Sequence, residues 1–284
     1  SYFGGMPKLN CRNPEVRQYV CDVAAYWTRN CHVDGWRLDV ADEIGRDFWR
    51  EFRRRLREGN PQILIIGEIW HFNGSYLAGD QWDGVMNYHF TDAVKGLLLE
   101  RRLSPREFAR RLDFVRGRLK KEAVPYLWNL IDSHDTDRFL TQAENHREIL
   151  KLAAALQLLL PGMPMIYYGD EVGMTGERGS GCRRGMLWEK ERQDEEMLWF
   201  YRKLLGIRKS CPVIGTGEAV WMQDQEEGQL CWQFQEKGQE QITVLMNTAD
   251  RTASYREYSG RRNLLADREF DGVLEPFSCC VLTG

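Results

Sequence analysis

The sequence predicts an α/β fold followed by a smaller antiparallel β unit. Three observations lead there. Up to about residue 205, short apolar runs alternate with longer amphipathic stretches, the pattern of parallel βαβ units. One of these runs, Ile63-Leu64-Ile65-Ile66, is continuously apolar and rich in β-branching, as a strand buried on both faces requires. After Lys209 the runs shorten and are separated by Gly, Asp and Asn, which suits antiparallel strands.

Taken in order, Asn13-Pro14-Glu15 reads as an N-cap followed by proline at the first helical position, opening a helix to about Thr28. Gly35 to Val40 is a short strand, and a helix from about Gly45 to Glu58 stops at Gly59-Asn60-Pro61. Beyond Ile63–Ile66, further strands are expected at Gly84–Tyr88, Pro125–Ile131 and Pro164–Tyr168. Helices are expected at Pro105–Glu122, Arg147–Leu159 and Asp194–Lys209. Val220–Met222, Gln229–Gln235, Gln241–Asn247 and Ser278–Leu282 form the β-rich tail, so domains are expected at 1–209 and 210–284. A (β/α)8 barrel gives each unit about 31 residues, so Gly35 to Leu205 holds roughly 5.5 units. Five strands in that span mean either an open sheet or a barrel lacking its first three strands.

Composition excludes several classes. In 284 residues, 43% are hydrophobic and 12% aromatic, which argues against disorder. The net charge is -3 with basic residues dispersed, so nucleic acid is not an expected partner. No apolar run reaches the roughly 20 residues of a membrane helix. Eight cysteines include no Cys-x-x-Cys pair, and the ten-residue gaps between Cys11, Cys21 and Cys31 match no zinc pattern. They read as reduced, buried small residues of a cytoplasmic protein.

Acidic residues recur where strands end: Asp39, Glu68 and, a few residues beyond its strand, Asp135. In parallel α/β folds such positions converge on one face. Three carboxylates there suit glycoside hydrolysis, with a nucleophile, a general acid/base and a substrate-orienting group. Arg37, two residues before Asp39, points to the same face and favours an ionised nucleophile. Each residue also has a plainer role open to it. A strand-end carboxylate is commonly an N-cap or a solvated charge, Arg37 and Asp39 can form a structural ion pair, and Trp70, His71 and His134 can be packing residues.

The order of these residues carries a family resemblance. Gly35-Trp36-Arg37-Leu38-Asp39-Val40-Ala41-Asp42-Glu43, Gly67-Glu68-Ile69-Trp70-His71 and Ile131-Asp132-Ser133-His134-Asp135-Thr136 resemble the second to fourth signature regions of the alpha-amylase superfamily of glycoside hydrolases. Met6-Pro7-Lys8-Leu9-Asn10 resembles the extra signature of its neopullulanase, cyclomaltodextrinase and maltogenic amylase branch. Pro161–Pro164 through Gly169-Asp170-Glu171 is similar to the family's last barrel strand and loop.

The resemblance implies a partial (β/α)8 TIM barrel, strands 4–8, with a C-terminal β-sandwich. It implies a retaining hydrolase of maltodextrins, cyclomaltodextrins or pullulan, with some transglycosylation and no cofactor. Asp39 would be the nucleophile, Glu68 the acid/base and Asp135 the transition-state stabiliser. Arg37 and His134 would hold the nucleophile and the substrate. Asp42, Glu43, Trp70 and His71 would line the acceptor side. Three departures accompany it. The family's first signature has no counterpart, which implies a start partway through the barrel and little activity for this chain alone. The branch's N-terminal domain is missing, and the face left by three strands would favour a homo-oligomer. Gly179-Ser180-Gly181-Cys182-Arg183-Arg184 keeps the family's Cys-Arg-Arg but lacks the acidic residues expected before it. A non-catalytic, amylase-like binding or interaction protein is the alternative; such members tend to lose catalytic carboxylates, and all three are present.

Overall fold

The computed structural model describes residues 4–71, 74–222, 227–234 and 241–284. The chain divides into two compact units, one of residues 1–88 and 115–128, the other of residues 89–114 and 129–284.

The first unit opens with helix α1 (Pro14–Asn30), whose N-terminus is fixed by Asn13: its side chain accepts the Glu15 N–H at 2.8 Å. Strand β1 (Gly35–Leu38) follows, then helix α2 (Arg46–Gly59). Helix α2 buries Phe48, Trp49, Phe52 and Leu56, a helical spacing that gives it one apolar face despite nine flanking charges. Arg17 of α1 reaches Asp47 and Glu51 of α2, both at 2.8 Å. Strands β2 (Leu64–Gly67) and β3 (Gly84–Val85) complete a parallel sheet in the order β1-β2-β3. Met86 extends this ladder by a parallel bridge to Trp128.

Two glycines permit the close packing here. A Cβ on Gly67 would lie 2.5 Å from the Trp82 ring, and one on Gly84 only 1.8 Å from the Tyr126 carbonyl oxygen. Trp82 is thereby laid flat against the end of β2, stacked on Tyr76 at 4.1 Å, directly before Glu68.

The second unit holds helices α3 (from Tyr88, with its remainder to Leu98) and α4 (Pro105–Arg116). Strand β4 (Trp128–Asn129), short helix α5 (Phe139–Gln142), helix α6 (Arg147–Leu159) and strand β5 (Met163–Pro164) follow. The Met165 N–H donates to the Asn129 carbonyl at 2.8 Å. Helix α6 is buried on every side from Leu152 to Leu159, so its apolar run reflects a central position. Helix α7 (Glu195–Ser210), capped by Asp194, and short helix α8 (Val213–Thr216) lead to the antiparallel part.

That part contains β6 (Ala219–Trp221), β7 (Gln229–Phe234), β8 (Ile242–Asn247), β9 (Ala253–Ser254), β10 (Arg262–Asn263), β11 (Arg268–Glu269), β12 (Val273–Leu274) and β13 (Ser278–Thr283). Six of them form one sheet, β11-β10-β13-β8-β7-β6, while β9 and β12 pair separately. Alternation splits the sheet's side chains between two cores. Leu230, Trp232, Val244, Met246 and Val281 join the α6 and α7 core, and Trp232 donates its indole N–H to the Leu159 carbonyl at 3.1 Å. Cys231, Leu245, Cys280 and Leu282 pack with Ala253 and Leu274 of the smaller ribbon.

Several expected bounds differ from those observed. The strand read at Gly84–Tyr88 ends at Val85, and Tyr88 instead begins α3, a helix the sequence reading did not place. Pro125 and Tyr126 lie in a 3-10 turn rather than a strand, and the helix from Pro105 ends at Arg116. Gln235, read as a strand end, lies outside the described residues. All eight thiols are free, but only Cys21, Cys182, Cys231 and Cys280 are buried; Cys31 is exposed.

Candidate active site

The parallel register builds the cluster of predicted site residues in the first unit. Leu38 pairs with Gly67, so Asp39 and Glu68 leave the ends of β1 and β2 side by side. The ladder continues past both strands: the Glu68 N–H donates to the Leu38 carbonyl at 2.8 Å, and the Ala41 N–H donates to the Glu68 carbonyl at 3.1 Å. Parallel strands whose ends carry chemistry on one edge are the feature that makes this fold suited to catalysis.

Arg37 joins the two carboxylates. Its Nη1 hydrogen-bonds Asp39 Oδ1, and its Nη2 lies 3.1 Å from Glu68 Oε1. Glu68 is only 2% exposed, and its other oxygen, Oε2, accepts the Val40 N–H at 2.9 Å. Asp39 by contrast is exposed. Val40 adopts a left-handed conformation (φ 42°), which is costly for a β-branched residue and is retained where the surroundings impose it. That turn aims the Val40 N–H at Glu68. The 3-10 turn Ala41–Glu43 behind it is fixed by Trp49, which donates its indole N–H to the Ala41 carbonyl at 2.9 Å.

The other predicted residues of the first unit gather around the same turn. His71 Nε2 lies 3.4 Å from Asp42 Oδ2. Lys8 donates to the Glu43 carbonyl at 2.9 Å, with its ammonium 3.6 Å from the Glu43 carboxylate. Trp70, half exposed, stacks on Tyr88 with ring centroids 4.0 Å apart and planes 12° from parallel. A flat, exposed indole held this rigidly suits the apolar face of a sugar ring.

The remaining predicted residues belong to the second unit. His134 Nε2 lies 3.1 Å from Asp135 Oδ2, and Arg183 Nη2 donates to Asp135 Oδ1 at 2.7 Å. Arg183 also donates from Nε to the His134 carbonyl at 2.8 Å. The sequence reading noted Cys182-Arg183-Arg184 but gave Arg183 no place in the site; a cation following a family Cys-Arg-Arg was the available signal. The turn itself is pinned locally: the Asp135 N–H donates to Ser133 Oγ at 3.2 Å, and the Ser133 N–H to Thr136 Oγ1 at 3.0 Å.

A buried ionic cluster adjoins this turn. Asp132, Arg138 and Asp170 are all essentially inaccessible. Burial pushes the Asp132 carboxyl above the usual carboxylate range, and burial together with the Asp132 charge pushes Asp170 well above it. Among the described residues, Asp132 Oδ1 and Asp170 Oδ2 have no hydrogen-bond donor, an arrangement that one proton shared between the two carboxyl groups would satisfy. Among the described residues, no group of three or more His, Cys, Asp or Glu side chains is placed to hold a metal ion.

Known proteins resemble this chain along most of its length. Residues 1–260 match the family described as alpha amylase, catalytic domain. A cyclomaltodextrinase of a Bacillus species is 38% identical over 255 residues, covering 90% of this chain and 46% of the relative. Neopullulanase 2 of Thermoactinomyces vulgaris is 42% identical over 222 residues, 78% of this chain and 38% of the relative. The chain therefore spans less than half the length of these two relatives. Among solved structures, a cyclomaltodextrinase superimposes with a TM-score of 0.91 at 34% identity, covering 98% of this chain and 50% of the other. Cyclic alpha-maltosyl-(1→6)-maltose hydrolase of Arthrobacter globiformis does so with 0.88 at 31% identity, covering 98% and 62%.

Proposed function

This chain belongs to the alpha-amylase family, and from that premise we propose that it carries the reacting carboxylates of a retaining α-glucan hydrolase. The observation that supports this reading best is Arg37 bound to Asp39 and facing Glu68 at the ends of adjacent parallel strands. One guanidinium then fixes both the nucleophile and the acid.

In the first step Glu68 gives its proton to the glycosidic oxygen while an Asp39 oxygen attacks the anomeric carbon. The C–O bond to the leaving sugar breaks and an ester to Asp39 forms. In the second step the Glu68 carboxylate takes a proton from water, whose oxygen displaces Asp39 with a second inversion. Asp135, held by His134 and Arg183, takes the part of the group that strengthens its hold on the sugar hydroxyls in the transition state. Asp42, Glu43, Trp70 and His71 form the acceptor side, where a second sugar competes with water.

The substrate class we assign is maltodextrins, cyclomaltodextrins or pullulan, with transglycosylation, a reading supported by relatives named cyclomaltodextrinase, neopullulanase and maltogenic alpha-amylase. The architecture we assign is strands 4–8 of a (β/α)8 barrel, to about residue 209, followed by a β-sandwich domain. A relative from Bacillus subtilis is named an intracellular maltogenic amylase, which supports a cytoplasmic setting, and self-association is part of the same reading. No helix among the described residues is long and apolar enough to cross a membrane.

A fluorinated maltosyl fluoride tests the covalent step, using the protein at its native length. Mass spectrometry should find one glycosyl adduct on Asp39, and NMR should find the α-anomer released first. No adduct, or β-anomer as first product, refutes the retaining mechanism. No turnover of any glucan points to the non-catalytic alternative.

A further inference from the structure

Arg138 is a wholly buried arginine that takes no part in the chemistry above. It sits three residues after Asp135, on the same turn, and nearly every group around it belongs to another segment. Its Nη1 donates to the Tyr168 carbonyl at 2.8 Å and to Asp170 Oδ1 at 3.2 Å. The guanidinium lies 4.6 Å from the Tyr167 ring centroid and 4.9 Å from that of Tyr168. Among the described residues its Nε and Nη2 have no acceptor, and the two aromatic faces take that role through cation–π attraction. Its backbone N–H donates to the Gly176 carbonyl at 2.9 Å.

The turn is clasped from both ends. Asp132 Oδ2 accepts the Phe139 N–H at 2.6 Å, closing residues 132–139 into a loop with Asp135 near its middle. Asp137 Oδ1 accepts the Arg178 N–H at 2.5 Å, and Thr141 Oγ1 accepts the Gly176 N–H at 2.7 Å. Arg138 is thus the fixed point at which the Asp135 turn, the segment after β5 and the 174–178 loop meet. The 174–178 loop runs on to Arg183, which grips Asp135 from the outside.

We propose that Arg138 is a positioning residue for Asp135, latching its turn to the segment after β5 so that the carboxylate meets the sugar at a fixed depth. The inference rests on the reading of Asp135 as a group that touches substrate. Charge compensation for Asp132 and Asp170 is the plainer role, and the two roles differ in outcome. Removing one positive and one negative charge together, as in Arg138→Met/Asp170→Asn, keeps the compensation but deletes the latch.

The double variant and Arg138→Lys test this in the protein at its native length. The double variant should melt within a few degrees of wild type. Its kcat on maltodextrin should fall about 100-fold, the scale of a misplacement near 1 Å, with KM changed by less than about threefold. Amide exchange should accelerate at Ser133, Asp135, Thr136 and Phe139 and stay unchanged in α6. Arg138→Lys, which keeps the charge but cannot form the same stack, should share the kcat loss. Wild-type kcat in the double variant, or unaltered exchange at those four amides, overturns the proposal. Unfolding of both variants assigns Arg138 to stability alone and overturns it as well. A wild-type protein without turnover defeats the hydrolase reading instead, and the exchange pattern then decides the latch by itself.

Discussion

Arg37 Nη2 stands 3.1 Å from Glu68 Oε1 while the same guanidinium holds Asp39. One cation therefore serves two carboxylates, one exposed and one 2% accessible. Arg37→Met leaves Glu68 facing the Val40 N–H with its charge otherwise uncompensated. Stability should drop by about 1–3 kcal/mol, the cost of a buried polar group losing its partner. Maltodextrin turnover should fall about 100- to 1000-fold, as for loss of a preorganised electrostatic contact. Urea denaturation and initial rates check the two parts separately, and unchanged turnover would remove Arg37 from the reaction.

Val40→Gly separates strain from function. A left-handed L-residue costs about 1–2 kcal/mol, which glycine avoids, while glycine's greater unfolded-state entropy returns about 1 kcal/mol. Net stability should therefore move by less than about 1 kcal/mol. Turnover should fall severalfold, because the N–H that holds Glu68 Oε2 becomes loosely aimed. A thermal melt beside a rate measurement decides it; a full-rate variant would show that the turn needs no constraint.

Glu43 is expected to govern the choice between water and a sugar acceptor. Its backbone carbonyl and carboxylate both face Lys8, and it follows Asp39 by four residues. Glu43→Gln should change the ratio of transfer to hydrolysis products while the release of the first leaving group stays near wild type. Product sizing against leaving-group release reads both at once. Equal loss of the two reactions would assign the residue to folding of the turn.

The Asp132 and Asp170 pair predicts a pH dependence of stability. Both carboxyl groups are raised in the folded state, so between about pH 4, where free carboxylates titrate, and the raised values the native state holds more protons than the unfolded one. Stability from this source is complete below the unfolded value and is lost as pH rises through the folded ones. Asp170→Asn should flatten that decline. Urea midpoints from pH 5 to 8 measure it, and parallel curves for wild type and variant would show that the pair does not titrate there.

Much of this was readable from residue order, and the unread parts share a cause. The first two strands, read at Gly35–Val40 and Ile63–Ile66, fall within two residues of the observed Gly35–Leu38 and Leu64–Gly67, because each is a short run that ends just before an acidic residue. Helix α3 was missed because Tyr88-His89-Phe90 continues an aromatic, strand-like run, and its helical character comes from packing of Phe90, Ala93, Val94 and Leu97 in the core. Asp39, Glu68 and Asp135 were singled out through their strand-end positions and the family resemblance. Arg183 and Arg138 were not, since a single arginine carries no local sign of the carboxylate or the aromatic faces it meets across 48 or 30 residues. The left-handed Val40 was invisible for the opposite reason: valine is the wrong residue for that conformation by any local rule.

The strand order of the six-stranded sheet has a consequence for biosynthesis. β13 is the last of these strands to emerge from the ribosome, yet it lies in the middle, joining β8 to β10. Until residue 283 is available, β6-β7-β8 and the β10–β11 hairpin are separate pieces with open edges, and no nascent intermediate can complete the sheet. Closure is therefore a late, long-range event, and Val281, buried between them, seals the core that α6 has waited for. Stalled or truncated chains that stop before Ser278 would expose two ready-made pairing edges, and quality control should meet this protein as an unfinished sheet rather than as a loose tail.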